Sequence, residues 1–137
     1  MENKARAAIE DSERWLSTAK LSENSGSFDI ALYSAEMSLE IAMKALLTKK
    51  GVDYPKKHDI IDYFKVSIGS KGIPKELKDE SQSIIRTFSE LLDLRNSAGY
   101  NLGALKLDAV TASKARELIS LTEKHIALIK KAVNTAK

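Results

Sequence analysis

Phe28-Asp-Ile-Ala-Leu-Tyr-Ser-Ala-Glu-Met-Ser-Leu-Glu-Ile-Ala-Met-Lys-Ala-Leu-Leu-Thr-Lys-Lys50 is the stretch that decides the fold. Phe28, Leu32, Ala35, Leu39, Ala42 and Leu46 recur at alternating spacings of three and four, with Met43 and Leu47 beside them. That period lays one apolar seam along a helix, which places the helix at the centre of a bundle. Lys49 and Lys50 suit the negative end of the helix dipole, and Gly51 supplies the left-handed residue that closes a helix.

Working outward, Lys4 to Glu23 reads as a first helix with the stripe Ala5, Ala8, Ser12, Trp15 and Ala19, widened by Ile9 and Leu16. Asn24-Ser-Gly-Ser27 makes the turn into the central helix, with Ser27 as its N-cap. Beyond Gly51, Val52-Asp-Tyr-Pro55 is extended, and a short helix is expected from Asp59 to Ile68 on Ile60, Ile61, Phe64 and Ile68. Pro74 opens a fourth helix carrying Leu77, Ile84, Phe88, Leu91 and, on the same stripe, Arg95. Asn96 to Leu107, with two glycines, reads as a loop, and Asp108 caps a last helix. In that helix Ala112, Ala115, Ile119, Thr122, Ile126, Ile129 and Val133 alternate unbroken beside a second row, Leu118, Leu121, His125, Leu128 and Ala132. So wide a stripe requires burial on two sides, within the bundle or against a second subunit.

Composition agrees with this pattern. The 137 residues suit one domain over 1–137, and only 6 Gly and 2 Pro leave too few turns for a sandwich or barrel. The absence of cysteine excludes a disulfide framework, thiolate metal sites and a Cys nucleophile. No secretory leader and no long uncharged run is evident, so a cytoplasmic protein with no membrane association is expected. The net charge of +3 is uneven: residues 81–137 hold 9 basic against 5 acidic groups. Such an excess suits either a polyanion partner or ordinary solvated lysine faces.

Few residues carry chemistry. His58 and His125 stand 67 residues apart with no ligand at helical spacing, and no phosphate loop is present, so neither a metal nor a cofactor is expected. Arg95 breaks an apolar stripe, and a guanidinium there must find acceptors, because an unpaired buried charge costs several kcal/mol. Two readings stay open. Arg95 binds helix carbonyls or a carboxylate, Glu36 or, the better candidate, Glu40, with Gly99 ending the helix; or it binds a phosphate, with Asn96 and Tyr100 beside it. Glu36, Glu40 and Lys44 form an i, i+4 ladder that becomes a buried network only if it faces Arg95. His58 and His125 read first as capping and core residues.

Tyr33 to Leu47, then Lys50-Gly-Val-Asp-Tyr-Pro-Lys-Lys-His-Asp59, then Arg95-Asn-Ser-Ala-Gly-Tyr100 together resemble the HEPN domain (higher eukaryotes and prokaryotes nucleotide-binding) over nearly the whole chain. The resemblance implies an all-α, up-and-down bundle of about five helices, similar to nucleotidyltransferase substrate-binding domains, that pairs into a homodimer with its two Arg-bearing helix ends near a shared cleft. It implies a prokaryotic toxin–antitoxin context with a minimal nucleotidyltransferase as partner, and a nucleotide or RNA as ligand. Catalytic members carry Arg-x4–6-His. Arg95 matches the Arg, but Tyr100 stands where the His belongs, and a phenol near pKa 10 donates a proton more readily than it accepts one. The Tyr that follows the His in the family falls at Leu102. The resemblance thus implies a binding or docking site of Arg95, Asn96, Tyr100, Glu40, Lys44 and His58. The alternatives are a metal-independent ribonuclease using Arg95 with Tyr100 or His58, and a non-catalytic structural dimer.

Overall fold

A computed structural model describes the backbone of residues 2–100 and 108–135 and the side chains of residues 3–95 and 112–135. The described residues form five helices and no strand: α1 (Glu2–Asn24), α2 (Phe28–Lys49), α3 (Ile61–Ile68), α4 (Lys75–Tyr100) and α5 (Asp108–Thr135). The expected all-α bundle is what the chain forms.

Helix α2 packs against each of the other four helices. Its seam is buried as the period requires, with Ala35, Leu39, Ala42, Met43 and Leu46 all fully enclosed. Buried alanines on α1 (Ala5, Ala19) and α2 (Ala31, Ala35, Ala42, Ala45) carry too little bulk to hold the two backbones apart. Helix α5 packs on α1, α2 and α4, which bury most of its wide stripe and leave Ala112, Leu121 and Leu128 half-buried.

Helix ends explain where the boundaries fall. Past α2, Gly51 adopts φ 68, the Val52 amide donates to the Leu47 carbonyl at 2.9 Å and the Gly51 amide to Thr48 at 3.2 Å. That paired closure, with half-buried Val52 folded back on the core, ends the helix and starts the connection leading to His58. The same closure at Gly26 ends α1. Ser27 occupies the N-cap position of α2, but its hydroxyl makes no capping bond. Helix α3 starts at Ile61 rather than Asp59, because the Asp59 carboxylate stays outside and accepts from the Ile61 amide at 3.2 Å. Helix α4 does not stop at Arg95: it runs through Gly99 to Tyr100, where a loop had been expected from Asn96. One glycine costs a helix about 1 kcal/mol and does not by itself end one. Arg95 is therefore held inside a helix, not at its frayed end.

Part of the basic excess of the last third is paired within the molecule. From α5, Lys114 reaches Glu90 at 2.8 Å, Arg116 reaches Glu23 at 3.3 Å, Lys130 reaches Glu13 at 3.1 Å and Lys131 reaches Glu76 at 3.3 Å, while Lys20 pairs with Glu123. Each exposed pair is worth little, and the buried row Leu118, Ile119, Ile126, Ile129 and Val133 is what holds α5 in place. His125 is a core residue, 2 % exposed, with Nε2 at 3.0 Å from the Thr87 hydroxyl. Burial, aided by Lys124, pushes its imidazole down to about 4, so it stays neutral.

Leu39→Ala, which opens a cavity at the centre of α2, should cost about 2–5 kcal/mol in urea unfolding. Ile30→Ala, on the half-open face of the same helix, should cost well under half as much; equal losses would mean that α2 is not central.

Candidate functional site

Three elements bring charged side chains to one place. Helix α2 contributes Glu36, Glu40 and Lys44 at successive turns, the connection after Gly51 contributes His58, and α4 contributes Arg95. Sequence spacing had favoured Glu40 as the partner of Arg95. The structure gives that role to Glu36: Arg95 Nη1 donates to Glu36 Oε1, while Glu40 Oε1 stands at 3.8 Å. Glu36 lies one turn earlier on α2, opposite the level at which Arg95 leaves α4, and its side chain is completely enclosed.

Glu40 serves the other members. It accepts from Lys44 Nζ at 2.8 Å and faces His58 Nδ1 at 3.1 Å. His58 in turn lies within reach of both ends of the guanidinium, Nδ1 to Nη1 at 3.1 Å and Nε2 to Nη2 at 3.3 Å. With Nδ1–H donating to Glu40, Nε2 is left as the acceptor, directed toward Arg95 at a side chain 55 % exposed. His58 is thus neither a helix cap nor a lone loop residue: the fold carries it to the Arg95 guanidinium. The Lys44 ammonium also lies 5.6 Å from the Tyr54 ring centroid.

The two carboxyls are pushed in opposite directions. Burial, followed by the hydrogen bond and repulsion from Glu40, raises Glu36 to about 8 against the pull of Arg95. Burial would raise Glu40 too, but hydrogen bonds from Glu36, Lys44 and His58 outweigh it and hold Glu40 below its ordinary value. Near neutrality Glu36 therefore carries a proton and Glu40 the charge. Glu36 Oε2 is buried and has no hydrogen-bond partner among the described residues, a position that disfavours the charged form further. With Glu36 neutral and Glu40 ionised, Arg95 and Lys44 leave the site one net positive charge. A site with that balance attracts anions.

Glu36, Glu40 and His58 also place three donor atoms within 4.8 Å of one another, the grouping a metal ion would use. Arg95 and Lys44 already engage those carboxylates, so a divalent ion would have to displace two cations. The charge balance does not fit a metal.

Two aromatic residues escaped the sequence reading. Tyr33 lies under Arg95, whose Cζ is 4.7 Å from the ring centroid, and Trp15 meets Tyr33 edge to face at 6.2 Å. Trp15 had been assigned to the buried stripe of α1, and it is only partly covered. The one available signal was Tyr33 standing a turn from Glu36 and outside the apolar seam. Asn96 and Tyr100 follow Arg95 on α4, but their side chains lie outside the described residues. The arrangement is a helical bundle that brings together an arginine, a carboxylate-held histidine and an adjoining aromatic surface.

A family model for the HEPN domain matches residues 5–132, and the chain belongs to that family. HEPN domains are linked to nucleotide and RNA binding and to ribonuclease activity, and they often dimerise. Searches against curated proteins and against solved structures give no match. No described helix is long and apolar enough to cross a membrane.

Because its pKa in the folded chain lies above the ordinary 4.5, Glu36 contributes stability at low pH that is lost as pH rises from about 5 through 8. Glu36→Gln mimics the protonated form and should remove that slope. Unfolding free energies of the two proteins should diverge in favour of the variant by on the order of a few kcal/mol between pH 5 and 9; parallel curves would show that Glu36 is ionised throughout.

Proposed function

We propose that this HEPN domain binds a phosphate of a nucleotide or RNA strand at Arg95 and His58. The observation that supports this reading is the proximity of His58 to Arg95 beside two buried carboxyls, of which burial pushes Glu36 up to about 8 and so leaves the site positive. Arg95 contributes a planar donor fork and a permanent charge, and Lys44 adds a second positive charge behind Glu40. Buried Glu36 and ionised Glu40 hold those groups in place and do not meet the ligand. Asn96 and Tyr100, next on α4, are assigned to the same ligand on the sequence pattern alone. A homodimer, a minimal nucleotidyltransferase as toxin–antitoxin partner and a cytoplasmic, prokaryotic setting complete the reading.

A second reading, metal-independent RNA cleavage, is favoured by the Glu40–His58 contact. A carboxylate that fixes Nδ1–H makes Nε2 the basic nitrogen, which takes the proton from a 2′-hydroxyl once a bound phosphate draws Arg95 Nη2 away from it. The 2′-oxygen then attacks the adjacent phosphorus, Arg95 stabilises the added charge, and the bond to the 5′-oxygen breaks. The products are a 2′,3′-cyclic phosphate and a 5′-hydroxyl. Tyr100, whose phenol is a hydrogen-bond donor, is assigned on the sequence pattern to give the leaving oxygen its proton. The vacancy created by Tyr100 at the family's His position is on this reading filled from another element, by His58.

A single-stranded oligoribonucleotide incubated with the protein in excess chelator tests both readings. Arg95→Ala should weaken binding at least tenfold and abolish any cleavage, whereas His58→Ala should abolish cleavage and weaken binding only a few-fold. Binding unchanged by Arg95→Ala would overturn the phosphate reading, and cleavage unchanged by His58→Ala would overturn the catalytic one.

A further inference from the structure

The described surface holds four exposed large apolar residues, and two of them, Ile30 at 52 % and Tyr33 at 41 %, lie on α2 beside the anion site. The others, Leu21 and Val66, belong to α1 and α3. Ile30, Tyr33 and Met37 fall at helical spacing, so they form one short strip on α2. Met37 closes its far end, with Sδ 3.6 Å from Arg95 Nη1. Tyr33 is exposed but not loose, because Trp15 holds it at 6.2 Å and 63° and Arg95 covers it at 4.7 Å.

We propose that the open part of Tyr33, with Trp15, is a stacking ledge for an unpaired nucleobase of an RNA strand whose phosphate is held at Arg95 and His58. The proposal rests on the phosphate-binding reading and adds to it the surface that holds the base, Tyr33 with Trp15. A rigid ring beside a cation that also faces the anion site offers what a nucleotide presents: a flat apolar face next to a phosphate. Arg95 joins the two halves, since the same guanidinium touches the Tyr33 ring and meets His58. Base pairing and stacking bury the faces of bases in a duplex, so only a strand that can turn a base outward fits. A second copy of this chain is the rival occupant. Two exposed apolar side chains are a small patch beside the roughly 800 Å² that each partner buries in a stable complex.

Trp15 is the only tryptophan in the chain, so its fluorescence reports on the ledge directly. Wild type, Tyr33→Phe and Tyr33→Leu would be titrated with an oligoadenylate strand, with an abasic strand of equal length and phosphate count, and with duplex RNA. The ledge predicts that oligoadenylate quenches Trp15 and binds roughly tenfold tighter than the abasic strand, a preference kept by Tyr33→Phe and lost in Tyr33→Leu. Duplex RNA should bind no better than the abasic strand. Equal binding of both single strands, unaffected by Tyr33→Leu, would overturn the ledge and leave the phosphate reading standing. Failure of wild type to bind any strand would overturn both. If Tyr33→Leu converts a sedimenting dimer to monomer without changing the preference for bases, the strip is a subunit contact and the ledge is overturned.

Discussion

A carboxyl group at a fully enclosed position of the central helix constrains everything around it. Glu36 sits where the α2 seam would otherwise accept an apolar side chain, and a bare carboxylate there would be costly. Arg95 donates to one oxygen, and burial beside Glu40 favours the protonated, uncharged form of the group, although its second oxygen has no hydrogen-bond partner among the described residues. Removing either partner would leave a buried polar group without its hydrogen bond, so α2, the connection after Gly51 and α4 are bound to one relative placement. The site is therefore a consequence of how the bundle packs, and its positive balance is a consequence of where the proton resides.

The division of labour between the carboxyls follows from their surroundings rather than their chemistry. Glu40, 3 % exposed, is nearly as enclosed as Glu36, yet three donors surround it and keep it ionised. Ionised, it can fix His58 in one tautomer. Glu36, relieved of charge, leaves Arg95 only partly neutralised. A bundle of ordinary helices thereby presents a cation and an oriented imidazole together, although the Arg-x4-Tyr spacing lacks the histidine that catalytic relatives carry on α4.

The fold was legible because periodicity is a local property. The seam of α2, the stripes of α1, α4 and α5, and the glycine closures at Gly26 and Gly51 each depend on neighbours a few residues away. Much of the site was not legible, because its pairs depend on how helices pack. Arg95 could be singled out as the break in a stripe, and Glu36 and Glu40 as its two carboxylate candidates. Choosing between them required the register of α4 on α2, which periodicity does not contain. His58 precedes Arg95 by 37 residues, and only the path of the connection after Gly51 brings them together. Tyr33 was not singled out for the same reason, and α4 was ended early because Asn96 to Leu107, with its two glycines, was read as a loop. The basic balance of the last third misled in the opposite sense, since part of it pairs with acids on α1 and α4.

The central claim is that Glu36 holds a proton at neutral pH beneath Arg95. Carbon-13 NMR of the side-chain carboxyls, with Glu36 assigned by comparison with Glu36→Gln, measures this directly. The structure predicts a Glu36 midpoint near 8, with Glu40 titrating below the ordinary carboxylate range. A Glu36 midpoint at or below 4.5 would mean a fully ionised pair under Arg95, a site without net positive charge, and an account that is wrong at its centre.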